Sequence, residues 1–535
     1  MGLNITDTPF LTTAATTMAT LVIVLISVVV CAIKILKMST TQKKLNQSLP
    51  LPPGPKPWPL IGNIPEIIRY KPTFRWIHQL MKELNTDICL IRLWNTNIVS
   101  INCPILANEM LKQNDAVFAS RPLAFSAKCM TGGYLTTVLV PYNDQWKKMR
   151  KILTSEILSP ARHQWLHDKR NEEADNLVFY VHNQYKCNKA VNLRLATRLY
   201  SGNVIRKIIF GRRYFGKGTD NGGPGREEID HVDAVFAALK YMYAFCLSDY
   251  LPNILQRFYF DGQKKIIVRA NKIIRGYQNP LIDERIRQWK SGERKIMEDL
   301  LDVFITLRDS DGRPLLNDDE IKNQLAEVMI ASIDNPANAV EWAMAEMLNQ
   351  PKMLEKATKE LDMIVGKERL VQESDIAKLN YLNACAKEAF RLHPVSYFNP
   401  PHFAMQDTTL GGYFIPKGSW TYLSRASLGR NPNTWQDPLK FNPERHLDNG
   451  EVVLTKHDPR FIIFSTGRRG CVGTLLGSCM TTMLLARMIQ CFSWSLPENV
   501  VNVDLTEAVD DLSLANPVMA FGMPRLAPHM YPTSS

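Results

Sequence analysis

Paired cysteine spacing is missing from this chain. Its 535 residues hold ten cysteines, scattered, with no C-x-x-C and no zinc pattern. That argues against a disulfide framework or a zinc fold and fits a reducing compartment. No internal repeat appears, which excludes solenoids and propellers. No Gly/Ser linker or charge block divides the chain after residue 65. One large body therefore fits better than the roughly three domains that length alone would allow. An acidic surplus is lacking too. Lys and Arg number 64 against 52 Asp and Glu, a net charge of +12. This balance suits an anionic membrane surface or an acidic partner. Nucleic acid is the competing reading, but no aromatic-interleaved basic stripe or nucleic-acid motif supports it.

Residues 14–33, AATTMATLVIVLISVVVCAI, lack charge altogether. About 20 such residues span a bilayer as a helix. Lys34, Lys37, Lys43 and Lys44 come after it, and only Asp7 is charged before. The positive-inside rule places the C-terminal side of this run in the cytosol. A cleaved signal peptide would carry its basic residues ahead of the apolar run. Asn4-Ile5-Thr6 is a glycosylation sequon on the side predicted to be lumenal. LPLPPGPKPWPLIGN, residues 49–63, is stiffened by proline and poor in N–H donors. Residues 87–101, DICLIRLWNTNIVSI, read as two strands about a polar turn. Residues 150–390 show mostly helical periodicity, and short strands and loops come after residue 395. A mainly α fold with a small β part is predicted.

The most informative segment is FSTGRRGCVG, residues 464–473. A thiolate that faces a metal needs a tight loop that excludes water and aims N–H groups at sulfur. Gly467, Gly470 and Gly473 permit the turn and a close approach by a flat ligand. Phe464 can cover the sulfur of Cys471, and Arg469 can pair with a carboxylate. Trp146 and Arg150 lie four apart in NDQWKKMRKIL, on one helical face. A long helix is predicted within residues 316–351. Asn317 and Glu320 form its capping box, and Pro351 ends it. Inside it Ala331, Ser332, Asp334 and Asn335 precede Pro336, which cannot donate to the Ser332 carbonyl and should open the turn. Glu388 and Arg391 sit three apart in KEAFRLHP, an arrangement common on exposed helices.

Phe, Gly, Arg, Cys and Gly in this register resemble the cytochrome P-450 superfamily of haem-thiolate monooxygenases. The resemblance runs from the proline-rich segment to the C-terminus. It implies a cytochrome P-450-type haem-thiolate fold, preceded by one N-terminal transmembrane helix. The chain would divide into a short lumenal stretch (1–13), an anchor (14–33), a basic and proline-rich hinge (34–63) and a cytosolic catalytic domain (64–535). The resemblance further implies haem b with Cys471 as the axial iron ligand. Thiolate ligation favours O–O cleavage at haem iron. Phe464, Gly467, Arg469, Gly473, Trp146 and Arg150 would contact the haem, and Glu388, Arg391 and Arg445 would form a buried charge network. Asp334 would serve an oxygen-side proton relay. Asn335 stands where most relatives carry threonine, and His446 where most carry an aromatic residue.

DNPANAVEWA (334–343), HPVSYFNPPH (393–402), PERH (443–446) and the cysteine loop are similar to a plant branch that N-hydroxylates amino acids and forms aldoximes. The similarity is greatest to valine- and isoleucine-oxidising members of cyanogenic glucoside biosynthesis. A zwitterionic substrate in an apolar cavity needs polar anchors. Arg121, Asn399, His402 and Asn335 are the candidates, with Phe398 or Phe403 shaping the pocket. Electrons would come from NADPH through an NADPH-cytochrome reductase on the endoplasmic reticulum membrane. The same activity on an aromatic amino acid, a haem-thiolate isomerase or dehydratase without external electrons, and a membrane-anchored haem sensor stay open.

Overall fold

The computed structural model describes residues 49–242, 245–251, 262–447 and 450–533. The expected anchor at 14–33, the lysines behind it and the Asn4 sequon lie outside them. Among the described residues no helix is long and apolar enough to cross a membrane. They form two compact units. The small one holds 49–51 and 412–414, where the Phe414 N–H donates to the Pro50 carbonyl at 2.8 Å. The remaining described residues belong to the large unit.

The large unit is mainly helical, as predicted. Its axis is the helix Asp318–Leu348. The capping box is present. Glu320 N–H donates to Asn317 Oδ1 at 2.8 Å, and Asn317 N–H to Glu320 Oε2 at 3.0 Å. The same Glu320 accepts from Lys148 Nζ at 2.8 Å and from Gln145 Nε2 at 2.9 Å. One carboxylate thus starts the central helix and ties it to the helix Asp144–Ile152, which carries Trp146 and Arg150. The helix packs against Leu193–Phe210, Asn380–Leu392 and Thr474–Cys491, all rich in buried apolar residues. Near its end Trp342 is fully buried and stacks on His393 with ring centres 3.7 Å apart.

Pro336 lies inside this helix without ending it, as the single long helix expected over 316–351 requires. Only one carbonyl loses its donor, and the turns after it, from Pro336 to Leu348, are buried on all sides. Packing outweighs the single missing bond.

The two predicted strands are Ile88–Leu93 and Thr96–Ile101, paired antiparallel with Ile88 opposite Ile101. Strand Trp420–Leu423 adds in parallel to the second, and His402–Phe403 pairs antiparallel with it, His402 opposite Thr421. Trp420 and Tyr422 of this sheet share an apolar cluster with Ile330 and Ile333 of the central helix, and Phe398 and Phe403 pack against it.

Candidate active site

The cysteine loop is built as its glycines require. Gly467 has φ +72°, and a Cβ there would lie 2.5 Å from the Leu111 carbonyl oxygen. At Gly473 a Cβ would come within 3.9 Å of Cys471 Sγ, and at Gly477 within 3.3 Å of the Phe464 ring. Cys471 N–H donates to the Phe464 carbonyl at 2.8 Å, which closes the loop. Cys471 lies deep in the fold, yet its surface is open to a cavity of about 230 Å³ also lined by Arg150, Phe464 and Thr474. Burial pushes its thiol up, while the Gly473 N–H and the Arg150 and Arg425 guanidiniums pull it down. An open sulfur, a donated N–H and two nearby cations fit an iron porphyrin with an anionic axial ligand.

The cations expected near that group are held firmly. Arg469 donates from Nη1 to Thr137 O at 3.1 Å, from Nη2 to Val140 O at 2.7 Å, and from Nε to Ala119 O. Its guanidinium lies over the Trp146 ring at 4.5 Å. Arg150 Nη1 donates to the Gly470 carbonyl at 2.7 Å. The 136–138 segment is itself pinned by Glu327, which accepts from Thr136 Oγ1 at 2.6 Å and from the Thr137 and Val138 N–H groups at 2.9 and 3.0 Å. No motif marks Glu327 in the sequence. Its role appears only once the loop is folded against the helix.

Above the loop, the middle of the central helix changes character. Ala331 is exposed and Ser332, Asp334 and Asn335 are half-buried, in a helix otherwise almost wholly buried. Asp334 sits deep in the fold. Burial pushes its carboxyl up to about 7, with Arg198 and Arg425 pulling against that rise. Asn335 turns back on its own helix, its Nδ2 donating to Ala331 O at 3.1 Å. Ser332 Oγ does likewise to Val328 O at 2.8 Å.

The substrate candidates fare unequally. Arg121 donates from Nη1 to the Pro400 and Pro401 carbonyls at 2.7 and 3.0 Å, and from Nε to Val138 O at 3.2 Å. His402 Nδ1 bonds the Phe118 carbonyl at 2.7 Å. Both therefore brace loops. Asn399 is buried, and its N–H donates to Leu423 O at 3.0 Å. Phe398 is half-buried, 5.4 Å from the Tyr422 ring, and Phe403 packs in the same apolar cluster.

Glu388, Arg391 and Arg445 do come together. Arg391 donates from Nε and Nη2 to Glu388, both at 2.7 Å, and Arg445 Nε adds a bond at 3.0 Å. A member that sequence reasoning left out completes the set: His446 Nε2 meets Glu388 Oε2 at 2.8 Å. Burial lowers the His446 ring from its usual range. A neutral ring with its proton on Nε2 suits this partner. Burial alone would raise Glu388, but bonds from Arg391 and His446 hold it down at about 2.

Among the described residues a second cysteine approaches other metal-ligand types. His163, Glu373 and Cys479 offer atoms within 4.8 Å of one another. Glu373 is already bridged by Arg170 through two bonds of 2.7 Å, and burial pushes Cys479 well above a free thiol. This cluster has its cation in Arg170 and reads as structural.

A helical body with an open cysteine loop beneath a polar patch of its longest helix defines a haem-thiolate enzyme. A family model described as Cytochrome P450 matches residues 52–518, so the chain belongs to the cytochrome P450 family. It is a haem-thiolate monooxygenase that draws electrons from a redox partner and acts on a small molecule. Among curated proteins, valine N-monooxygenase 1 of Manihot esculenta is 70% identical over 509 residues, 95% of this chain and 94% of that protein. Isoleucine N-monooxygenase 1 of Lotus japonicus is 55% identical over 90% of this chain and 91% of its own length. Tyrosine N-monooxygenase of Sorghum bicolor is 54% identical, over 91% of this chain and 88% of that protein.

Proposed function

We propose that this enzyme N-hydroxylates valine, isoleucine or both at the α-amino nitrogen twice and releases the aldoxime with loss of carbon dioxide and water, as the first step of cyanogenic glucoside formation. The observation that carries this reading is the 70% identity to a valine N-monooxygenase over 95% of the chain. A second valine enzyme of Manihot esculenta is 68% identical, while the tyrosine enzyme is 54% identical, which favours valine over an aromatic substrate.

In this reading the Cys471 thiolate would hold the haem iron, and Trp146, Arg150, Phe464, Gly467, Arg469 and Gly473 would shape the haem site. Haem supplies oxygen activation when bound. Asp334, with its carboxyl near 7, holds or releases a proton on the oxygen side at neutral pH. Asn335 sets the polarity of that face, and Glu388, Arg391, Arg445 and His446 brace the cysteine side. Arg121, His402 and Asn399 hold the segments that border the substrate, and Phe398 forms part of its apolar wall.

Residues 14–33 anchor the protein in the endoplasmic reticulum membrane, with 34–63 as hinge and the body in the cytosol, where an NADPH-cytochrome reductase supplies electrons. The basic surplus suits that partner. The test is turnover of labelled amino acids with reductase and NADPH. Isobutyraldoxime from valine, or the isoleucine-derived aldoxime, is expected, with little product from tyrosine or tryptophan. Conversion of substrate without NADPH consumption would identify an isomerase or dehydratase and end this reading.

A further inference from the structure

A second guanidinium lies behind the wall of the cysteine cavity, bonded to Ile463 of its lining, and no sequence motif announces it. Arg425 opens the short helix Arg425–Gly429, just after strand Trp420–Leu423. Its backbone is fixed: the Arg425 N–H donates to the Tyr397 carbonyl at 2.8 Å. Its Nη2 donates to Ile463 O, one residue before the cysteine loop, at 2.7 Å. Its Nε is buried and has no hydrogen-bond partner among the described residues. The acidic groups near enough to act on it are Cys471 and Asp334.

Neither group pairs with it: among the described residues the guanidinium makes no ion pair, and its side-chain bond goes to the Ile463 carbonyl. Burial keeps Asp334 only partly ionised at neutral pH. The charge of a Cys471 thiolate would go to iron. Arg425 itself is lowered by burial to about 10 and so stays cationic at neutral pH. A buried guanidinium with an unspent N–H and no full counter-charge calls for an anion, and its planar fork matches a carboxylate. Arg121, the cationic candidate among the expected anchors, bonds the Pro400 and Pro401 carbonyls, and His402, whose ring burial holds neutral, bonds the Phe118 carbonyl.

We propose that Arg425 is the carboxylate anchor of the haem cavity, its Nε–H taking a carboxylate that enters with a bound molecule. Two sources carry that chemistry there, the α-carboxylate of the amino-acid substrate and a haem propionate. The substrate arm rests on the function proposed above; the propionate arm needs only the family.

Holoenzyme carrying Arg425→Gln or Arg425→Lys is compared with wild type in two measurements. One is the amino-acid affinity read from the substrate-induced spin-state change, for valine and for isobutylamine, which lacks the carboxylate. The other is the rate of haem loss to an acceptor globin. If the substrate is the source, Arg425→Gln weakens valine binding by roughly 10- to 100-fold, leaves isobutylamine and haem loss unchanged, and Arg425→Lys recovers part of the affinity. If the propionate is the source, haem leaves faster and amino-acid affinity holds. Valine affinity and haem retention both unchanged in Arg425→Gln would overturn the proposal. Should Arg425→Gln fail to accumulate, Arg425→Lys and the wild-type preference for valine over isobutylamine carry the same decision. A wild type that answers no amino acid sinks the proposed function instead, and haem loss alone then decides the role of Arg425.

Discussion

Two buried polar regions, one around Glu388 and one around Asp334, are solved in opposite ways. Around Glu388 three side chains converge, those of Arg391, Arg445 and His446. Arg391 is fully spent, adding bonds to the Gly429, Pro438 and Lys440 carbonyls to those it gives Glu388. Around Asp334 the polar groups are underspent: a carboxyl near 7, an amide folded back on its helix, and an arginine with an idle N–H. The first arrangement makes a rigid floor for the cysteine loop. The second keeps protons and hydrogen-bonding capacity within reach of a ligand. Buried polar groups that are fully paired serve structure, and those left short serve chemistry.

The sharpest way to break that contrast is to unpair the floor. Glu388→Ala strands Arg391 without its counter-ion and should cost about 3–5 kcal/mol. Haem per polypeptide and the thermal midpoint should both collapse, and normal values would make the network dispensable. Glu388 also sets an acid limit. Its folded carboxyl lies below its usual value, so its contribution is full above about 4.5. It is lost as pH falls through about 2.

On the other side, Asp334→Asn should leave haem content intact while slowing turnover on the order of 100-fold. In wild type turnover should fall as pH rises across about one unit either side of 7, as the carboxyl loses the proton it supplies. That fall should vanish in the variant. A pH profile identical in both proteins would assign the relay elsewhere. The smallest effect belongs to Asn335→Thr. A threonine hydroxyl can repeat the bond to the Ala331 carbonyl, so stability should move by less than about 0.5 kcal/mol. Only the ratio of aldoxime to hydroxylamine should shift, by a few-fold, and an unchanged ratio would remove Asn335 from the chemistry.

Local sequence carried much of this. The capping box of Asn317 and Glu320, the strand pair at 88–101 and the cysteine loop depend on neighbours within a few residues, and each was legible. Glu388 with Arg391 was legible for the same reason. His446 was not, because it meets Glu388 across 58 residues of chain. Arg425 was invisible because nothing beside it hints that Ile463 and Cys471 will fold against it. The helix through Pro336 was legible as one element, and the burial around it shows why it runs on past the missing bond.

The central claim is that Cys471 supplies the thiolate to iron while Cys479 is structural. The direct measurement is the carbonyl spectrum of reduced protein in wild type, Cys471→Ser and Cys479→Ser. The account predicts the strongly red-shifted thiolate band in wild type and Cys479→Ser and its loss in Cys471→Ser. A red-shifted band that survives in Cys471→Ser, or disappears only in Cys479→Ser, would contradict it.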